Sequence, residues 1–391
     1  MAALRKDTNP EVTANPVANE RQFTTANWEA KAHYGRFNLL IVGPAGVGKS
    51  SLVNAVFGRN LAQVGVGLPV TKGLTYYHDG GLGIWDSEGL ELGTPGAVQR
   101  LRNDLAQIAQ RPRNEQISVV WYCILAKSHR IVEEEIQLIH ELARLGLPVI
   151  VVLTKVKWVK SPLKNEPTLE PDDQEFYDWL VARTEDAGPG NLPARAVIPT
   201  STVGNKGKGM GHGLSELVSE TLQLSPEGEK NAFRIAQSLN LPWKRELARK
   251  VTAAAAATAF AAAATPIPVT DAALLAPIQI TMMGRIAAIY ELDMKTMLST
   301  GTLAQFSAQL AGQALARSFL KLLPGVGSVV NASVASGVTV AMGEGWTRLC
   351  EQVYTGRLDP REIDAHLKQF APTIRAVMIA MAGRKLFKKR V

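Results

Sequence analysis

Between Phe37 and Pro199 short apolar runs recur, separated by polar and glycine-rich stretches, at Phe37–Val42, Thr75–His78, Leu82–Trp85, Ile117–Ile124, Pro148–Leu153 and Ala196–Pro199. Runs of this length, bounded by turn residues, read as strands, and their nearly unbroken apolar character marks strands covered on both faces. Segments of helical period lie between them. The clearest is Glu133–Leu145, where Ile136, Ile139, His140 and Ala143 mark one face. Strands alternating with helices predict an α/β domain with a mainly parallel sheet. Residues 1–35 are polar, carry Pro10 and Pro16 and show no apolar period, so they read as a flexible N-terminal arm without the apolar core of a signal peptide. The alternation ends near Ser225-Pro226. The pattern thus divides the chain into an arm (1–35), an α/β domain (36–224) and an all-α, Ala/Gly-rich hydrophobic domain (225–391).

Within the last part, Thr252–Thr265 is almost all alanine, and 20 uncharged residues lie between Lys250 and Asp271. Pro266 and Pro268 end that run, and a helix is expected from Ala272 to Leu292, with Asp271 as its cap. A second uncharged run of 22 residues, Leu322–Gly343, is diluted by Asn331, Ser333 and Ser336. Either run is long enough to span a bilayer, yet alanine, glycine and serine add little insertion energy and suit close helix packing. Two readings stand: a packed helical domain, or one that inserts into or lies on a membrane.

The α/β region contains one stretch whose chemistry is specific. Gly43-Pro44-Ala45-Gly46-Val47-Gly48-Lys49-Ser50 fits G-x-x-x-x-G-K-[ST], placed after a strand and before a helix expected over Ser50–Phe57. Such a P-loop turns its backbone N–H groups inward to cradle phosphates at a helix N-terminus. Gly43, Gly46, Val47, Gly48, Lys49, Ser50 and Ser51 are therefore expected to bind nucleotide. Lys49 would reach the β- and γ-phosphates, and the Ser50 hydroxyl would ligate Mg²⁺. Asp86-Ser87-Glu88-Gly89, after the strand ending at Trp85, is D-x-x-G: Asp86 would act on Mg²⁺ through water, and the Gly89 amide would contact the γ-phosphate. Thr71 is the expected second metal ligand from the protein, with Thr75 as its rival. Thr71 and Gly89 are the switch candidates. No side chain is identified as catalytic.

Taken together, Gly43–Ser50, Pro69-Val70-Thr71 and Asp86–Gly89 resemble the small GTPases of the translation-factor-like (Era/TrmE-like) group, over residues 37–224. More narrowly, Trp85–Leu90, Val120–Ile124 and Gly213-Leu214 resemble a bacterial branch whose GTPase carries a hydrophobic C-terminal domain of unknown function. The resemblance implies GTP and GDP binding and slow hydrolysis with Mg²⁺. It also locates base contacts at Thr154, Lys155 and Ser201. It breaks at two places. Where the family has N-K-x-D, this chain has Thr154-Lys155-Val156-Lys157, and Lys157, a pure donor, cannot replace the aspartate that accepts from guanine. Either a carboxylate of the following segment, Glu170 or Asp172, takes that role, or the base is held loosely. Where Ras-like proteins place a water-orienting glutamine, this chain has Leu90, which implies low intrinsic turnover.

Charge adds a direction. The net charge is +8, and from Ser225 onward there are about 20 Lys+Arg against about 11 Asp+Glu, so the excess lies in the C-terminal part. The basic run Arg384–Arg390 suits an anionic membrane surface, with RNA or the ribosome as the alternative partner. Two cysteines, Cys123 and Cys350, far apart in a chain with no recognised secretory signal, point to a reducing compartment and buried thiols. The expected location is the cytoplasm, either free or at the inner face of the membrane. The reading is a nucleotide switch coupled to the helical domain. Its alternatives are a ribosome- or RNA-associated assembly GTPase, and a membrane-associated interaction protein with a degenerate nucleotide site.

Overall fold

The computed structural model of the chain describes residues 16–58, 68–69, 74–87, 96–160, 167–185, 190–203, 211–264, 271–293 and 327–363. They fall into two compact units, one formed by Tyr34–Leu241 and the other by the segments before and after it.

In the first unit, strands β1 (Phe37–Val42), β4 (Leu82–Asp86) and β6 (Val149–Thr154) are buried at every position, as their unbroken apolar runs require, and β5 (Val119–Leu125) is buried at all but its last residue. With β2 (Leu68–Pro69), β3 (Thr75–Asp79) and β9 (Ala196–Pro199) they form a seven-stranded sheet in the order β2-β3-β4-β1-β5-β6-β9. All pairings from β4 to β9 are parallel, and β2 and β3 complete the sheet antiparallel. One face packs on α3 (Ala97–Ala109), α4 (Glu133–Arg144) and α5 (Pro171–Glu185), through Leu101, Leu105, Ile139, Leu142, Phe176 and Leu180. Helices α2 (Lys49–Phe57), α6 (Leu214–Leu224) and α7 (Lys230–Ala236) lie against the rest of the sheet. There Phe57 stacks on Trp121 with ring centroids 5.8 Å apart, and Trp121 Nε1 donates to Thr221 Oγ1 at 3.0 Å. A small separate hairpin, β7 (Trp158–Lys160) with β8 (Pro167–Leu169), follows β6.

This compact unit runs past the expected boundary at 225. Residues beyond Ser225-Pro226 belong to it through α7, because Phe233 packs on Phe37 at 4.7 Å and on Phe57 at 6.3 Å. A proline after a helix ended the pattern there but not the packing.

The second unit contains α8 (Leu241–Ala264, from Pro242), α9 (Asp271–Ile289) and α10 (Gly327–Tyr354). It also contains α1 (Pro16–Tyr34, up to His33). The stretch expected to be a flexible arm is thus helical from residue 16. Phe23, Ala26, Asn27 and Ala30 form its buried face, and the spacing was obscured because two of the four are alanines and one is polar. Residues 1–15, the Pro-Ile-Pro break, residues 322–326 and the basic run Arg384–Arg390 lie outside the described residues. Both uncharged runs are helical where described, and none of these helices is long and apolar enough to cross a membrane.

An ion pair joins α8 to α10. Arg245 donates to both carboxylate oxygens of Glu351 at 2.5 Å, and these hydrogen bonds hold the Glu351 carboxyl below its usual pKa. A depressed folded-state pKa gives stability that is present above the unfolded value and is lost as pH falls through the folded one. With Arg245 half exposed the pair contributes at most about 1 kcal/mol. Thermal melts of the wild type and Arg245→Met are expected to differ slightly at pH 7 and to converge as pH falls through the lowered pKa of Glu351.

Candidate functional site

The loop from Gly43 to Gly48 leaves the carboxyl end of β1, where an open α/β sheet places its ligands, and opens directly into α2. Its glycines are needed for conformation: φ is +147° at Gly43, +73° at Gly46 and +111° at Gly48, a region that side chains with a Cβ rarely adopt. Gly43 also passes so close to β5 that a Cβ would lie 2.5 Å from the Cys123 carbonyl oxygen. Lys49, the first residue of α2, donates from Nζ to the carbonyls of Gly43 at 2.8 Å and Pro44 at 3.2 Å. Ser50 and Ser51 follow in the first helical turn and are exposed.

Across β1 from the loop, the register pairs Ile41 with Asp86, and Asp86 on β4 is buried. Thr75 stands opposite Asp86 in the antiparallel β3–β4 pair. Its rival Thr71, together with Gly89, Leu90 and their neighbours 88–95, lies outside the described residues. A serine hydroxyl and a buried carboxylate are hard oxygen donors, the set that Mg²⁺ prefers. Among the described residues there is no cluster of three or more His, Cys, Asp or Glu suited to a metal.

The residues expected near a base are brought to the same end of the sheet. The Thr154 hydroxyl lies 2.8 Å from the Val47 carbonyl and 3.1 Å from that of Ile124. Lys155, at φ +55°, donates from Nζ to the Gly46 carbonyl at 2.6 Å, so two lysines converge on one loop. The 200–201 turn is tied in by Val156 N–H to the Thr200 carbonyl (3.2 Å). Ser201 donates its hydroxyl to the Val203 carbonyl at 2.8 Å, within its own loop. Of the two carboxylates weighed for the base, Glu170 pairs with Lys157 at 2.7 Å, whereas Asp172 is exposed.

Two participants escaped the sequence reading. Asp173, one residue beyond Asp172, is buried and accepts the Lys157 N–H at 2.8 Å. His129 Nε2 lies 3.3 Å from its other oxygen. The acidic Pro171-Asp172-Asp173 start of α5 was the available signal, and only the helix phase tells the two aspartates apart. Cys123, under Gly43, is fully buried, and burial pushes its thiol up to about 12. Since the thiolate is the nucleophile, the thiol is expected to be unreactive near pH 8. Iodoacetamide at that pH is expected to leave Cys123 and the equally buried Cys350 unmodified in the folded chain and to alkylate both in denaturant, as read by intact mass.

Residues 38–155 match the family model described as a 50S ribosome-binding GTPase, and residues 229–358 match that of a domain of unknown function. The chain carries a GTPase domain. Behind it stands a domain whose role has no assignment. No curated protein matches the chain significantly. Among solved structures, Toc33 from Arabidopsis thaliana (a dimerization-deficient mutant) is 18% identical over 56% of this chain and 93% of its own, with a TM-score of 0.32. A probable GTP-binding protein engB is 18% identical over 48% and 97%, with a TM-score of 0.31. Aquifex aeolicus Era bound to GDP and aluminium fluoride is 21% identical over 60% and 69%, with a TM-score of 0.32. Scores this low carry no functional weight.

Proposed function

We propose that the chain is a nucleotide switch: it binds GTP and GDP with Mg²⁺, hydrolyses GTP slowly, and passes the nucleotide state to its helical unit. The observation that carries this reading is the loop itself, three glycines at positive φ ending in Lys49 at the head of α2, with buried Asp86 beside it on the neighbouring strand. Phosphates would lie on the amides of residues 43–50, with Lys49 providing charge. Ser50, Thr71 and, through water, Asp86 would hold Mg²⁺, which bridges and neutralises phosphate oxygens. Phosphoryl transfer of this kind rests on positioning and electrostatics, so no nucleophilic side chain is required. Leu90 at the position of the water-orienting glutamine favours slow turnover. Coupling is supported by chain order, since the helical unit takes its segments from both sides of the GTPase unit and so is covalently joined to both of its ends.

We place this switch in the cytoplasm of a bacterium, within the Era/TrmE-like grouping and at the inner face of the membrane, on the basic and Ala/Gly-rich character of the C-terminal part. A second reading, association with ribosomal particles, is favoured by the description of the family that residues 38–155 match. Titration of the full chain with fluorescent GTP and Mg²⁺ tests the switch, and the absence of saturable binding by the folded chain would overturn it. Co-sedimentation with anionic vesicles or with ribosomal particles decides between the two places of work.

A further inference from the structure

Lys157 poses a recognition problem that rests on the nucleotide reading above. A base attached to phosphates in the 43–50 loop would lie beside Lys155 and the 200–201 turn, at the carboxyl ends of β6 and β9. Guanine presents two adjacent donors, N1–H and the N2 amino group, next to the O6 acceptor, whereas adenine presents a single amino donor beside an acceptor nitrogen. A carboxylate can accept both guanine donors at once but only one from adenine. A lysine alone can do neither.

The β7–β8 hairpin corrects this. Its register pairs Trp158 with Leu169, and Glu170 N–H continues the ladder to the Lys157 carbonyl at 2.9 Å, which sets the two side chains next to each other. Their ion pair is 2.7 Å long, and the side chains are 55% and 35% exposed, so a ligand can reach both. The backbone beneath is anchored at two points. Buried Asp173 holds the Lys157 N–H, and Trp158 lies 5.0 Å from His212, whose backbone bonds reciprocally with Ser201 in the adjoining turn. The hairpin, the 155–157 loop and the 200–201 turn are thus one connected frame.

We propose that Glu170, carried in by the β7–β8 hairpin and oriented by Lys157, is the guanine-specificity residue of this chain. One of its oxygens is shared with the Lys157 ammonium, and the carboxylate keeps acceptor capacity for N1–H and the N2 amino group. Lys157 has further N–H donors for O6. Asp173 and His129 are positioning residues that hold the Lys157 backbone in place.

The test is equilibrium binding of fluorescent GTP, ATP and XTP analogues, each with Mg²⁺, to the full chain. The wild type is expected to prefer GTP over ATP. Glu170→Gln is expected to weaken GTP binding about tenfold or more while changing ATP binding less than about twofold, which also shows that the fold and phosphate site persist. Because the glutamine amide can donate to the O2 carbonyl of xanthine, the same variant should gain affinity for XTP. Adding Lys157→Asp to Glu170→Gln is expected to restore the GTP preference, by returning a carboxylate to the frame. A wild type that binds GTP and ATP equally, or a Glu170→Gln variant with an unchanged GTP/ATP ratio, overturns the assignment of Glu170 and leaves the triphosphate site standing. A wild type that binds none of the three overturns both.

Discussion

Replacing Lys49 with alanine is expected to lower affinity for GTP by about a hundredfold to a thousandfold while leaving the fold intact. The side chain would make two charge-assisted hydrogen bonds to β- and γ-phosphate oxygens, each contributing roughly 1.5–3 kcal/mol. Their loss together is of the order of 3–6 kcal/mol, partly offset because Nζ gives up its bonds to the Gly43 and Pro44 carbonyls on binding, and 1.4 kcal/mol is tenfold in a dissociation constant. Stability should change far less, because among the described residues Nζ is bonded to the carbonyls of Gly43 and Pro44 at the edge of the loop. The measurement is a fluorescent GTP titration of the full chain beside thermal melts with and without nucleotide. Saturating GTP stabilises a protein that binds it, by about 2.7 kcal/mol at a hundred times the dissociation constant. The wild type should show that shift and Lys49→Ala should lose it. Undiminished binding would mean that Lys155, the other lysine at the loop, carries the phosphate charge. Absence of a shift in both proteins would leave the alternative of an interaction protein with a degenerate nucleotide site.

The contrast between the loop and its surroundings shows where sequence is informative. β1, β4, β5 and β6 were legible because strands covered on both faces must be apolar almost throughout, and their ends were placed within one or two residues. The P-loop was legible because its glycines, its lysine and its flanking strand and helix constrain one another. The Lys157–Glu170 pair was visible only as a missing aspartate, with Glu170 and Asp172 as undistinguished candidates for the carboxylate. Choosing Glu170 requires the β7–β8 register, and three-residue strands carry too little periodicity to give it. Choosing Asp173 over Asp172 as the buried anchor requires the phase of α5. That the compact unit continues past 225 was hidden for a related reason, since Phe233 reaches back to Phe37 across the whole α/β region.

The N-terminal helix is the strongest case of such long-range packing, and Gly284→Val tests it. A Cβ at Gly284 would meet the Phe23 carbonyl oxygen at 2.5 Å, the Ala26 Cβ at 3.1 Å and the Asn27 nitrogen at 3.2 Å, two of them rigid backbone atoms. α1 must therefore lift away from α9. Doing so exposes Phe23, which sits edge-on to Trp346 at 6.2 Å, and strands Asn27, whose amide donates to the carbonyls of Gly284 at 3.1 Å and Leu292 at 2.9 Å. Uncovering the ring costs about 2–3 kcal/mol and leaving the amide and its acceptors unpaired about 1–3 kcal/mol. A loss near 4 kcal/mol lowers the melting temperature of a unit this size by roughly 8–16 °C. Thermal melts and limited proteolysis within residues 16–34 measure it, with Asn27→Ala expected to show a smaller fall in the same direction. GTP affinity should be retained, because the residues proposed to hold nucleotide all fall within Tyr34–Leu241. Full protection of α1 in Gly284→Val would mean that the helix does not depend on this crossing. The expected loss would mean that the domain of unknown function, matched only from residue 229 onward, is incomplete without a helix that precedes the GTPase domain. Truncations starting at the P-loop strand would then fail to report what the helical unit does.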